Sequence, residues 1–321
     1  MSDHSDTAGG LLGWVDELQR RQPVLGFPYA VFKRYYEDHG GWLGSLISYY
    51  GFFSLYPLLV VFTTVATWML RDRPKALQRM LQAVWSKVPF ATPDITAEVQ
   101  QQVTELSNEG WAVAAVSLVV ALWGGVGVVR VLQDTVNSIH GVPRYRRPSF
   151  VAKVVRGLAI IGLLGLGVIG TAIVTALTLG FHLHLVAAFG AAIGNIALST
   201  LIAVAVYRLV IGPSVTTRVV LPGALITGIG TYLLTLVGGL YVQRVISRMT
   251  GVFGPFASTV GLLAYVSLSV QIFVIATEVN VVKARRLWPR ALTGELGSAD
   301  RTAIALSMQR EALTPPDESK T

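Results

Sequence analysis

Apolar residues run almost unbroken through six stretches of the chain, approximately 44–70, 111–132, 154–180, 185–209, 219–242 and 255–281. A helix crossing the ~30 Å hydrocarbon core of a bilayer needs about 20 such residues. The pattern therefore predicts an all-α protein, a polytopic bundle of six transmembrane helices. Between the fourth and fifth stretches, "RLVIGPSVTTR" carries a Gly212-Pro213 turn signal. "GFHLHL" separates the third and fourth so briefly that they form a helical hairpin. The first 43 residues are polar and aromatic, without a charged region leading into a short apolar core and cleavage site. The first span is thus expected to be an uncleaved anchor.

The polar intervals divide the chain further. Residues 1–43 form an N-terminal segment in which Leu11, Trp14, Val15 and Leu18 share a helix face. Residues 44–282 form the membrane domain, with a long loop over 71–110. In that loop Leu77, Leu81, Val84, Trp85 and Val88 repeat at helical spacing, as in a helix lying on a bilayer surface. Residues 283–321 form a polar tail with room for one short helix, ending in a disorder-type "PPDESKT".

Composition agrees with this division. Of 321 residues, 52% are hydrophobic and 14% charged, against about a quarter charged in soluble domains. The formal charge of +8 reflects basic loops: 19 Lys and Arg fall on the side of both termini and seven on the other. The positive-inside tendency then places both termini in the cytoplasm. Arg71, Arg73, Lys75 and Arg79 oppose the tendency, but the total prevails. No basic patch with interleaved aromatics suggests nucleic acid as a partner. With no cysteine there is no disulfide, cysteine metal site or thiol nucleophile.

Chemistry inside the spans is sparse, and a charge there is costly, about 2.5–3.5 kcal/mol at a helix centre on insertion scales. In the last span Ser267, Gln271 and Glu278 share a face, with Asn280 beside them. In the second, Arg130, Asp134 and Asn137 do the same. Spans two, four and six run in one direction, so Arg130, Arg208 and Glu278 lie at one depth near the cytoplasmic surface, with Ser48, Tyr49 and Tyr50 of span one. The expectation is a polar cluster in which Glu278 pairs with Arg130, or else with Arg208. Two readings stay open for it: an ion pair that only ties helices together, and a carboxylate that acts. Asn195 fits a helix–helix hydrogen bond, and Pro57 a kink in span one. Small residues at four-residue spacing (Ala172, Ala176, Gly180; Gly190, Gly194; Thr227, Thr231, Thr235, Gly239) fit close helix packing, a dimer face, or a substrate groove.

These residues carry a resemblance. "SYYGFFSLYPLLVVFTTV" (48–65) resembles the first-span signature of the YihY/BrkB family of bacterial membrane proteins, with its Ser-Leu-x-Pro-Leu core. "FGPFASTVGLLAYVSLSVQIFVIATEVNVV" (253–282) is similar to that family's last span, usually carrying Gly-Ala-Glu-Leu-Asn. Here that core reads Ala276-Thr277-Glu278-Val279-Asn280, which keeps the Glu and Asn but not the Gly and Leu. "QDTVNSIHGVPRYRRPSF" (133–150) fits the basic loop after span two. The resemblance covers roughly 28–290 and implies a six-helix protein of the bacterial inner membrane without a settled activity. Members have carried a ribonuclease label and a virulence or serum-resistance label, and transport of envelope lipids has been suggested for relatives.

The residues weigh against an enzyme. A metal-dependent nuclease needs clustered His, Asp or Glu. The five histidines include one close pair, His182 and His184, without accompanying carboxylates. Phosphate-loop and G-x-S-x-G motifs are absent, and nothing implies a cofactor or metal. Transport of a lipid or amphiphile is the expected function, with membrane lipids as partners. A non-transporting envelope scaffold, acting as a homo-oligomer or with another envelope protein, is the alternative. A lateral groove containing Glu278 would favour transport; a tightly packed bundle would favour the scaffold.

Overall fold

The computed structural model describes residues 13–14, 16–69, 111–179, 184–212, 215–241, 255–292 and 295–311. Eight helices are numbered here: α1 (Pro23–Glu37), α2 (Gly40–Met69), α3 (Trp111–Ile139), α4 (Phe150–Leu179), α5 (His184–Ile211), α6 (Thr217–Tyr241), α7 (Pro255–Arg285) and α8 (Ser298–Arg310). Residues 16–21 are also helical. Each apolar stretch has become one of α2–α7, and the expected tail helix is α8. No strand occurs among the described residues. Loop 71–110, with its expected surface helix, lies outside the described residues, as do Leu11, Val15, His182 and the chain end.

Consecutive helices from α2 to α7 pack side by side, and α7 returns to α2, closing a ring of six. Four of them contain segments long and apolar enough to cross a membrane: Phe150–Thr171, Ala188–Ile211, Thr217–Gly238 and Thr259–Arg285. Their outward faces carry large apolar side chains such as Leu166, Phe189, Ile193, Leu201 and Val237. Such a surface suits lipid rather than water.

Two apolar clusters fill the bundle. One joins α3, α4, α5 and α6 through Val129, Val136, Ile160, Tyr207, Val210 and Val220. The Tyr207 ring stacks on Phe273, centroids 4.9 Å apart. The other gathers α1, α2, α3, α7 and α8 around Ala30, Val31, Ile47, Ile139, Val282 and Leu306.

Helix ends explain how these parts meet. Gly141 (φ +69°) ends α3 in the left-handed conformation, and the Val142 amide reaches back to the Asn137 carbonyl. Arg286 (φ +53°) does the same for α7, with Leu287 N–H bonded to Val282 O. This backward bond satisfies carbonyls the helix would otherwise leave open. It also turns the chain sharply, so Lys283, Arg285 and Arg286 stay exposed while Leu287 is buried.

Small residues serve packing in the described parts of the stripes. A Cβ on Gly194 would press on Val174, and one on Gly228 would press on Thr200 and the Ile196 carbonyl. Thr227 and Thr235 give their hydroxyl protons to Gly223 and Thr231 within their own helix. Asn195 likewise bonds back to the Ala191 carbonyl, and among the described residues it does not make the bond across to another helix expected from the sequence. The side chains of Ala172 and Ala176, and Gly180, lie outside the described residues. Helix α2 continues through Pro57, whose side chain is also outside them.

Candidate functional site

Glu278 lies on α7 with no solvent exposure. Its cationic partner is Arg34 of α1, with Arg34 Nε 3.3 Å from Glu278 Oε2. This corrects both expected pairings. Arg130 is instead engaged with Phe150, and Arg208 makes a surface contact with Thr217 Oγ1. The physical reason is the position of α1. Its stripe Phe27, Ala30, Val31, Arg34 and Asp38 follows helical periodicity, and it packs on α7. That packing delivers a guanidinium to the buried end of the last span.

Arg34 serves more than Glu278. Its Nη2 lies 3.2 Å from Asp38 Oδ2 and donates to the Ile139 carbonyl at 3.1 Å. Asp38 Oδ1 in turn accepts from Arg310 Nη1 of α8 at 2.7 Å. Charges thus alternate from the buried Glu278 through Arg34 and Asp38 to Arg310, binding α7, α1 and α8 together. Burial pushes the Asp38 carboxyl above its usual range despite the pull of Arg34 and Arg310. Neither Glu278 oxygen has a hydrogen-bond partner among the described residues. Its compensation is therefore chiefly the charge of Arg34.

A second network fastens the tail. Arg290, 2% exposed, donates to both Glu37 oxygens at 2.7 and 2.9 Å and to Asp300 Oδ1 at 2.7 Å. Asp300 also accepts from Lys33 (3.1 Å) and the Ala291 amide (2.9 Å). Burial alone would raise the Asp300 carboxyl; those donors outweigh it and hold it at about 2. His140 sits behind the end of α3, where burial pushes its imidazole down to about 4, against the bond to Val136 O.

The remaining polar residues do not form one cluster. Gln271 accepts from Tyr35 Oη at 2.6 Å and lies over Gly44, where a Cβ would collide with it. Asn280 accepts the Gly223 amide proton at 2.7 Å. That bond is made beside Pro222, where α6 lacks a backbone donor. Asp134 is taken by Lys153 at 2.6 Å. Asn137 is 1% exposed, and its Nδ2 has no hydrogen-bond partner among the described residues. Tyr49 faces outward, packed against Tyr50 and Phe53. Gln271, Asn280 and Asp134 thus tie neighbouring helices in pairs.

Arg130 and Tyr50 belong to a different feature. A cavity of about 600 Å³ lies between α3 and α4 beside α2 and is lined by Val119, Trp123, Arg130, Phe150, Leu158 and Tyr50, among others. Trp123 is 77% and Phe150 62% exposed, so it is a groove in the outer face of the bundle. The Arg130 guanidinium carbon stands 4.2 Å from the Phe150 ring centroid. The groove contains neither Glu278 nor Asn280.

Sequence reasoning missed α1 and hence Arg34, Asp38, Lys33 and Glu37. The signal was present. The spacing of Phe27, Ala30 and Val31 continues onto Arg34 and Asp38, but two charges on an apolar stripe read as surface until a buried partner is found.

Comparison with known proteins places this architecture. Residues 31–295 match the family described as Virulence factor BrkB. The chain is 24% identical over 122 residues to the inner membrane protein YhjD of Escherichia coli (strain K12), covering 38% of this chain and 36% of that one. It is 22% identical over 130 residues to an uncharacterized protein of Dickeya dadantii (strain 3937), covering 40% and 39%. The alignments thus span well under half of each relative. No solved structure matches. With four segments long and apolar enough to cross a membrane and a family match over residues 31–295, the chain belongs to the Virulence factor BrkB family.

Proposed function

We propose that this protein moves a lipid or other amphiphile across or within the bacterial inner membrane, without chemical change to it. In this reading α2 and α3, at 30 and 29 residues, complete a set of six spans with α4–α7. Both termini lie in the cytoplasm, so the tail network and the Arg34–Glu278 pair mark the cytoplasmic end. The similarity to an inner membrane protein supports the location.

The observation that carries the reading is the groove between α3 and α4. It is apolar along most of its wall, opens on the lipid-facing surface, and ends at a cation. An amphiphile has the same division into tail and head. Glu278 is reassigned: sealed by Arg34 and outside the groove, it ties helices together and does not touch the cargo. The packed ionic tail favours the scaffold as a second reading, because it presents α8 as a fixed cytoplasmic surface.

Proteoliposomes carrying fluorescent phospholipid in one leaflet, with a membrane-impermeant quencher outside, separate the two. Transport predicts movement above protein-free vesicles, lost in Leu158→Trp, which fills the groove at an exposed position. Absence of movement by the native protein, across a panel of lipids and with imposed ion gradients, selects the scaffold.

A further inference from the structure

We propose that the Arg130 end of the groove binds the phosphate of an anionic phospholipid from the cytoplasmic leaflet, with an acyl chain lying along α3 toward Val119. This rests on the transport reading for its biological purpose, but the site stands on its own geometry.

Four observations converge on it. Among the described residues Arg130 is the one charged residue in the groove wall, which is otherwise aliphatic, glycyl and aromatic. Its neighbouring acid is already neutralised: Asp134, one turn along α3, is held by Lys153 at 2.6 Å. No carboxylate among the described residues pairs with Arg130, and its Nε is shielded from solvent with no hydrogen-bond partner among them. Phe150 lies over one face of the guanidinium, its ring centroid 4.2 Å from the guanidinium carbon. A planar guanidinium offers paired donors that match two phosphate oxygens.

Depth agrees with the assignment. Phe150 is the first residue of the apolar segment Phe150–Thr171, so Arg130, against its ring, stands where hydrocarbon gives way to headgroups. From Arg130 to Val119 is eleven residues, about 16 Å of helix, close to half of the ~30 Å hydrocarbon core. An acyl chain of one leaflet therefore runs the length of the groove with its phosphate at Arg130. The turn after α3 adds Arg146 and Arg147 at the same end, beside Arg144, which pairs with Glu311 at 2.8 Å; the surplus basic charge enriches anionic lipid nearby. A zwitterionic lipid brings its own ammonium to that surface and is disfavoured. An arginine that only snorkels to water would show no such preference.

Trp123, exposed in the groove, supplies the readout. The full-length protein is placed in nanodiscs containing phosphatidylglycerol and phosphatidylcholine, with brominated acyl chains on one lipid at a time. Quenching assigned to Trp123 is the difference between the native protein and Trp123→Phe. The expected result is quenching by brominated phosphatidylglycerol at about fivefold lower mole fraction than by the phosphatidylcholine, the order expected for one basic residue at an anionic surface. Arg130→Gln should remove the preference and Arg130→Lys retain part of it, with helix content matched by circular dichroism. Equal quenching by the two lipids in the native protein, or an unchanged preference in Arg130→Gln, overturns the site. Preference without lipid movement in proteoliposomes keeps the site and removes the transport reading; movement without preference does the reverse.

Discussion

Separating Arg34 from Glu278 should show that this pair holds one end of the bundle together. Both residues are buried, 2% and 0% exposed at the side chain, and come from helices distant in sequence. Breaking a buried pair by removing one partner typically costs ~3–5 kcal/mol, because the other charge stays desolvated. The geometry makes the two directions unequal. In Glu278→Gln, Arg34 keeps Asp38 at 3.2 Å, so the loss should lie near the lower limit, ~3 kcal/mol. In Arg34→Met, Glu278 loses its one ion-pair partner among the described residues and has no hydrogen bond there to fall back on. Asp38 still has Arg310 at 2.7 Å. The loss should approach ~5 kcal/mol. The double variant should be more stable than the sum of the singles by ~0.5–3 kcal/mol, the range for residues in contact. Equilibrium unfolding in mixed micelles, followed by far-ultraviolet circular dichroism, measures all four corners. Singles within ~1 kcal/mol of native, or strictly additive losses, would falsify the assignment of Arg34 as the charge that makes Glu278 tolerable.

Further expectations concern acid, the tail and helix packing. The Asp300 carboxyl, at about 2 in the folded protein, lies below its usual value near 3.9; its contribution is full above that value and is lost as pH falls from ~4 to 2. Asp300→Asn should remove this limb and release the tail, read by Trp288 fluorescence, since that ring packs on Phe27 at 5.3 Å. His140, depressed to about 4 by burial, is neutral when folded but takes a proton when unfolded near pH 6.5. Its contribution is therefore lost earlier, from ~6.5 down to 4, and His140→Gln should flatten that part of a stability-versus-pH curve. Gly223→Val should destabilise by ~1–3 kcal/mol in the same unfolding assay, because a Cβ there meets the Ala276 carbonyl and Asn280.

How the site became legible differs from residue to residue. Glu278 stood out because a carboxylate in an apolar run demands compensation, and the demand was met. Its partner did not stand out, because helical spacing ranks residues within one helix and says nothing about which helix packs beside it. The depth expected for Arg130 and Glu278 did not bring them together: one lines the groove in the outer face and the other is sealed under α1. Asn280 was legible as a buried amide; that its Oδ1 accepts the Gly223 amide proton needed α6 and α7 in contact.

The sequence by itself determined the helices, since apolar runs of spanning length with turn residues between them leave the backbone no better way to satisfy its hydrogen bonds in lipid. It also determined the basic character of the loops and the isolation of a few polar groups in the spans. Tertiary structure alone decided which of those groups meet. Closing α2 through α7 into a ring and laying α1 and α8 across one end brought Arg34 to Glu278, Arg290 to Asp300, and left Arg130 facing outward. Pairing energy depends on distance and desolvation together, and both arise only when helices far apart in the chain are packed side by side.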